Sequence, residues 1–365
     1  MRTEHILIIR FSALGDVAMT VPVIYSLART YPHVRFTMVS RGSVRPLFQA
    51  LAPNVGFMEA DIKTEYKGVR GLNALYRRLT AKQPTAIADL HSVLRSDYLR
   101  MRFNLGMYKV AHIDKHRAGK RALTATDNKR LEQQPTSFEN YAEVFAKLGY
   151  PVDIKFTSIF PQGRGDITKL PASITQEKTP AGGVRPSAPH PHPWIGIAPF
   201  AAHEGKIYPL ELMEQVVGML AEHHPDSRIF LFGGNSEMAV FSGWCRRFSQ
   251  CVCVPEHIHG LRKELILMSH LDVMLSMDSA NMHLASLVNV PVVSVWGATH
   301  PFAGFMGWGQ SMDNVVQLDM SCRPCSIYGN RKCMRGHIPC LKNIQPKTIV
   351  DKIDNIISFR FKKKG

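Results

Sequence analysis

HILIIRFSALGDVAMTVPV, residues 5–23, decides how the chain is read. Its apolar start does not alternate with polar residues, so it predicts a strand buried on both faces, as in a parallel sheet covered by helices. VAMTVPVIYSLART (17–30) then takes up a helical period, which makes SALGD (12–16) a strand-to-helix corner. Asp16 stands at that corner, where the helix dipole and open N–H groups favour a carboxylate; as a plain N-cap it is worth about 1 kcal/mol. Gly15 can take backbone angles closed to other residues and admit a substrate to the chain. Of the G-x-G-x-x-G pattern only Gly15 is present, which disfavours a nicotinamide or flavin cofactor.

The same alternation runs outward from this corner. Strands are predicted at 5–11, 34–40, 85–90, 194–200, 228–234, 273–278 and 290–297, and amphipathic helical stretches at 17–30, 68–82, 209–224 and 236–248. Strands alternating with helices imply parallel sheets. The pattern breaks at PQGRGDITKLPASITQEKTPAGGVRPSAPHPHP (161–193), rich in Pro, Gly and polar residues. The expected organisation is an α/β chain of two doubly wound, Rossmann-like domains facing a cleft: 1–162, a linker at 163–193, 194–345, then a helix and basic tail at 346–365. In such sheets ligands bind beyond the carboxyl ends of the strands.

Composition narrows the partners. The 365 residues carry a formal net charge of +16, and residues 1–150 hold 23 Lys or Arg against 12 Asp or Glu. Residues 95–130 alone have ten basic and three acidic side chains. An anionic membrane surface or a phosphorylated substrate suits such a patch. Nucleic acid suits it less, because no RNA-binding signature, finger spacing or aromatic-interleaved basic helix accompanies the charge. No secretory signal or long apolar span is evident, so a cytoplasmic protein is expected. Seven cysteines, an odd number, argue against a disulfide framework.

Chemistry concentrates after the later strands. Lys206, ahead of Pro209, is placed to meet a diphosphate as a point charge or to sit exposed in a loop. Gly233 and Gly234 precede Glu237, which can cap a helix or take ribose hydroxyls. Asp278, Ser279, Ala280 and Asn281 form a further corner, His283 falls in the first turn or so of the next helix, and Gly297 and Thr299 follow another strand. Cys322, Cys325, Cys333 and Cys340 are spaced C-x2-C-x7-C-x6-C around His337, compatible with a structural metal, reduced thiols or a local disulfide.

FSALGDVAMTVPV, ADLHSVLRS (88–96), the GK-x-x-P loop and MDSANMHLASLVNVPVVSVWGATHP together resemble the ADP-heptose:lipopolysaccharide heptosyltransferases of glycosyltransferase family 9. The resemblance implies a GT-B fold, an N-terminal acceptor domain and a C-terminal nucleotide-sugar domain. It implies Asp16 as catalytic base, Lys206 on the donor diphosphate, Glu237 on the ribose, and Asp278, Ser279, Ala280 and His283 closing around the donor. Ser12, Gly15, Asp89, His91, Arg95 and Ser96 are then candidates for holding the acceptor, an anionic glycolipid at the inner face of the inner membrane. Neither metal nor cofactor is called for. Ala201 and Ala202 stand where the family often has hydroxyl residues, and Ala280 where it has glycine. The competing readings are a GT-B enzyme using another nucleotide sugar, a nucleotide-sugar epimerase, or a non-catalytic anionic glycolipid-binding protein.

Overall fold

The computed structural model describes residues 4–178, 184–186 and 192–362. It divides into two compact units: Met1–Arg117 with Pro135–Ile159, and Ala118–Gln134 with Phe160–Gly365.

Unit 1 is built on β1 (His5–Ile9), β2 (Arg35–Ser40), β3 (Val55–Glu59), β4 (Ala86–Asp89) and β5 (Lys109–His112), in the order β3-β2-β1-β4-β5. All pairs are parallel. Leu7, Ile9, Val39 and Ile87 pack against Leu75, Leu79, Leu99 and Phe103 from the flanking helices. The helical stretch after β1 is two helices, Leu14–Ala18 and Val21–Thr30. Pro22 falls in the first turn of the second, where its missing N–H costs nothing, and Thr20 Oγ1 bonds back to the carbonyl of Val17 at 2.7 Å. Ile9 pairs with Asp89, so the loops leaving β1 and β4 emerge side by side.

Unit 2 repeats the plan. An antiparallel pair, β6 (Gln176–Lys178) and β7 (Val184–Pro186), precedes a parallel sheet of β8 (Trp194–Ala198), β9 (Arg228–Leu231), β10 (Cys251–Cys253), β11 (Val273–Met277), β12 (Val292–Val295) and β13 (Val315–Val316). Its order is β10-β9-β8-β11-β12-β13. Ala198 pairs with Ser276, again placing the loops after β8 and β11 together. The C-terminal helix Pro346–Lys362 closes one face: Arg360 donates to the carbonyls of Leu271 and Asp272, and Asp354 takes His223 and His224 at 2.8 Å each.

Two expected boundaries differ. Residues 118–134, expected in the N-terminal domain, belong to unit 2: Gln134 N donates to the carbonyl of Phe302 at 2.8 Å and Lys129 Nζ to that of Pro324 at 3.0 Å. The start of the expected linker is likewise part of unit 2. Gly165 N donates to Ser269 Oγ at 2.9 Å, His270 Nε2 bonds the Gly165 carbonyl at 2.8 Å, and Ile174 is fully buried. Its later residues, 179–183 and 187–191, lie outside the described residues, as do the last three of the basic tail.

Leu275 is fully buried in central strand β11. Leu275→Ala is expected to lower unfolding free energy by about 2–5 kcal/mol, read as a reduced denaturant midpoint in chemical unfolding.

Candidate functional site

In unit 1 the corner after β1 gathers a charged cluster. Arg10 Nη2 meets Asp16 Oδ2 at 2.7 Å, and the same guanidinium donates to the Leu90 carbonyl and lies 5.5 Å from the centre of the Tyr141 ring. Asp16 is the third residue of its helix, and its carboxylate accepts from Ala13 N at 3.1 Å. Tyr141 Oη donates to the Asp16 carbonyl at 3.3 Å. The carboxylate is held from two sides yet remains about a third exposed, at 37%. Gly15 lies in the helix and takes no positive φ, so the expected special backbone angle is corrected.

The β4 loop completes the cluster. Phe11 N donates to His91 Nδ1 at 3.4 Å, which leaves the ring proton on Nε2, 3.0 Å from Ser12 Oγ. Burial, with the charges of Arg10 and Lys115, lowers the His91 pKa to about 4. Ser12, Asp16 and His91 therefore share one corner.

Asp89 and Ser96, expected to touch an acceptor, are both fully buried, with side chains bonded to their own surroundings. Asp89 is fully buried and accepts from His91 N at 2.9 Å, Ser92 N at 3.0 Å and Arg100 at 3.2 Å. Ser96 Oγ is turned back on Val93, accepting from its N–H at 3.0 Å and donating to its carbonyl at 3.1 Å. Both shape the loop that presents His91. Arg95 is exposed at the start of helix Leu94–Leu105.

Sequence reasoning missed Lys115. Half-buried, it donates to the Ser92 carbonyl at 2.9 Å and borders a cavity of about 780 Å³ lined also by His112, Asp114, Arg117 and Lys147. Burial lowers its pKa, and repulsion from Arg10 and Arg117 adds to that. Only the basic run of 95–130 pointed this way.

In unit 2 the β8 and β11 loops meet through Lys206 Nζ and Asp278 Oδ2, 2.8 Å apart, with side chains 14% and 4% exposed. Ser279 is the N-cap of helix Ala280–Leu287 and places no side-chain hydrogen bond on it, so the first-turn N–H groups face the corner without that cap. Ala280 opens this helix, and His283 is buried one turn in. Glu237 ends a short 3-10 turn after β9 and accepts from Gly234 N, the capping alternative of its two readings. Beside it, Gly233, Gly234 and Asn235 line a cavity of about 210 Å³ floored by Phe232, Val254 and Ile258. Glu264 also lines it, its pKa raised by burial.

Arg323 is the second residue that sequence reasoning missed. Buried between Cys322 and Cys325 in the chain, it donates to the carbonyls of Gly297, Leu318, Trp296 (3.2 Å) and Thr299 (2.9 Å), and to Gln317 Oε1 at 2.9 Å. The loop it pins returns Ala298 N to the Gly205 carbonyl at 2.8 Å, next to Lys206. Gly329, at φ +75°, lies on the Lys206 stem, where an added Cβ would fall 2.6 Å from Cγ. The four clustered cysteines line one cavity of about 320 Å³ with His203 and Glu204. Among the described residues, no group of three or more His, Cys, Asp or Glu is arranged to hold a metal ion. Burial raises the thiol pKa of Cys340 to about 11.

The model of glycosyltransferase family 9 (heptosyltransferase) matches residues 72–334. The chain belongs to that family. It is 20% identical over 319 residues to the lipopolysaccharide core heptosyltransferase OpsX of Haemophilus influenzae, a match covering 86% of this chain and 84% of that one. With lipooligosaccharide heptosyltransferase 2 of Campylobacter jejuni it shares 28% identity over 86 residues, spanning 26% of that relative's length. Among solved structures, a family 9 glycosyl transferase from Veillonella parvula superposes with a TM-score of 0.71 at 17% identity, over 98% of both chains. E. coli heptosyltransferase WaaC with ADP superposes at 0.66 and 18% identity, over 96% of this chain and 99% of that one. These likenesses establish the fold as GT-B, two doubly wound parallel-sheet domains. Within the family 9 chain, Lys206, Glu237, Asp278 and His283 fall inside the matched span, while Ser12, Gly15 and Asp16 precede it.

His91 and His300 are both held at a pKa of about 4, against an ordinary 6.5, by burial and neighbouring arginine. Between those values the unfolded chain binds more protons than the folded one, so stability is full above about pH 6.5 and falls as pH drops toward 4. Melting temperature should decline through that window, and His91→Gln should reduce the slope.

Proposed function

We propose that this family 9 member is an inverting glycosyltransferase that moves heptose from an ADP-activated donor to a lipopolysaccharide inner-core acceptor at the inner face of the inner membrane. The observation that carries the reading is the β8/β11 corner: a lysine and an N–H-rich helix start converge at the switch point of a parallel sheet, where a diphosphate binds. ADP as the nucleotide is supported by the likeness to WaaC with ADP, and the lipopolysaccharide core acceptor by the OpsX relative.

The chemistry is a single displacement. An acceptor hydroxyl oxygen forms its bond to the anomeric carbon as the bond from that carbon to the diphosphate oxygen breaks, inverting the centre. Asp16 takes the hydroxyl proton, aided by the clamp of Arg10 and Ala13 N that fixes its carboxylate. Lys206 and the helix start at Ala280 stabilise the charge arriving on the leaving diphosphate. The apolar-floored cavity beside Gly233 and Gly234 suits the flat face of a nucleobase, and Glu237, released from its cap, the ribose hydroxyls. On the acceptor side, His91 stays neutral and orients Ser12, while Lys115, Arg95 and Arg117 offer cations to phosphate or carboxylate groups.

Asp16→Asn keeps an acceptor for Ala13 N but removes the base. Transfer from ADP-heptose to a core acceptor should fall about 100- to 10,000-fold, with ADP affinity unchanged by calorimetry. Turnover at the level of the unsubstituted protein would end the case for Asp16 as base.

A further inference from the structure

Ten large apolar or tyrosine side chains are exposed among the described residues, and five of them lie on one helix pair of unit 1 and its closing turn: Val69, Leu94, Met101, Leu105 and Met107. Leu94, Leu105 and Met107 are 86%, 74% and 93% exposed. Leu94, Met101 and Leu105 are spaced seven and four apart, which puts them within about 40° of one another and makes a stripe about 16 Å long on helix Leu94–Leu105. Val69 joins them because helix Gly68–Thr80 lies alongside: Tyr98 Oη donates to Asn73 Oδ1 at 2.9 Å, and the Arg102 guanidinium lies 4.7 Å from the Tyr76 ring centre. Val69, Asn73 and Tyr76 share one helical face by their spacing. Scattered exposed apolar residues need no explanation, but a stripe gathered on one face does.

Charge identifies what covers it. Residues 67–107 hold eight Lys or Arg and two acidic side chains. Both acids, Asp89 and Asp97, are engaged by Arg100, at 3.2 and 3.1 Å. Lys67, Arg70 and Arg95 are exposed beside Val69 and Leu94. A basic rim around an apolar stripe repels a second copy of the same face and matches an anionic bilayer, where apolar side chains enter the headgroup boundary and cations hold lipid phosphates.

We infer that this helix pair is the surface by which the protein seats itself on an anionic lipid bilayer, with Leu94, Met101, Leu105 and Met107 in the headgroup boundary. The inference rests on the proposed lipid-borne acceptor only for its purpose. The stripe begins at Leu94, the first residue of the helix that follows the His91 loop and carries Arg95, so seating it brings lipid-attached sugars to that corner.

The test is co-sedimentation of the full chain with vesicles of equal parts phosphatidylglycerol and phosphatidylcholine, and with vesicles of phosphatidylcholine alone. Preferential binding to the anionic vesicles, weakened by salt, is expected. The triple substitution Met101→Ser, Leu105→Asp, Met107→Ser should lower that binding by about tenfold or more, with melting temperature and ADP affinity unchanged because all three side chains are exposed. Equal binding by the triple variant, or no preference for anionic vesicles, overturns the inference. So does a wild-type dimer in light scattering that the triple variant dissolves, which would assign the face to a second copy. ADP binding is scored separately, so loss of the proposed function with vesicle binding intact is distinguishable from the reverse.

Discussion

Each sheet reverses its strand order between its first and fourth strands, and the two charged corners depend on that reversal. A parallel strand must be reached by a crossover, and crossovers running in opposite directions from a central pair leave the loops above that pair uncovered. In unit 1 the pairing of Ile9 with Asp89 brings Ser12 and Asp16 to His91; in unit 2 the pairing of Ala198 with Ser276 brings Lys206 to Asp278. These strands are buried on both faces, so a slip of one residue in either ladder would leave apolar side chains covered but part the charged groups that the two loops bring together.

The two ion pairs at these corners differ in kind. Lys206–Asp278 is largely withdrawn from water, and desolvating two charges offsets much of their attraction, so the pair is a weak source of stability. Arg10–Asp16 keeps a part-exposed carboxylate on a buried guanidinium, which restrains the acid without sealing it away. Arg323 does the corresponding work for the loop behind Lys206, spending its donors on four backbone carbonyls and one side chain.

All seven strands expected from the chain, β1, β2, β4, β8, β9, β11 and β12, lie inside a sheet; the four strands missed from the parallel sheets, β3, β5, β10 and β13, are the edges. Interior strands must be apolar on both faces and so carry a readable run, whereas VGFME, KVAH, CVC and VV do not have to. The same logic governs the site. Asp16, Lys206 and Asp278 follow strand ends closely, so local reading finds them. Lys115 and Arg323 act through the Ser92 and the Trp296–Thr299 carbonyls, contacts set by tertiary folding and invisible to spacing. Asp89 and Ser96 stood in a promising motif, but whether a polar side chain faces a ligand or its own backbone is decided by burial.

The proposed chemistry stands or falls on whether unit 2 binds a nucleoside diphosphate through Lys206. Calorimetric titration of ADP, UDP, GDP and CDP into the protein and into Lys206→Gln, which keeps a donor for Asp278, tests it most directly. Preferential binding of ADP is expected, weakened by about tenfold or more in the variant through loss of a charge-assisted contact to phosphate. ADP binding that Lys206→Gln leaves untouched, or no nucleotide binding at all, would contradict it.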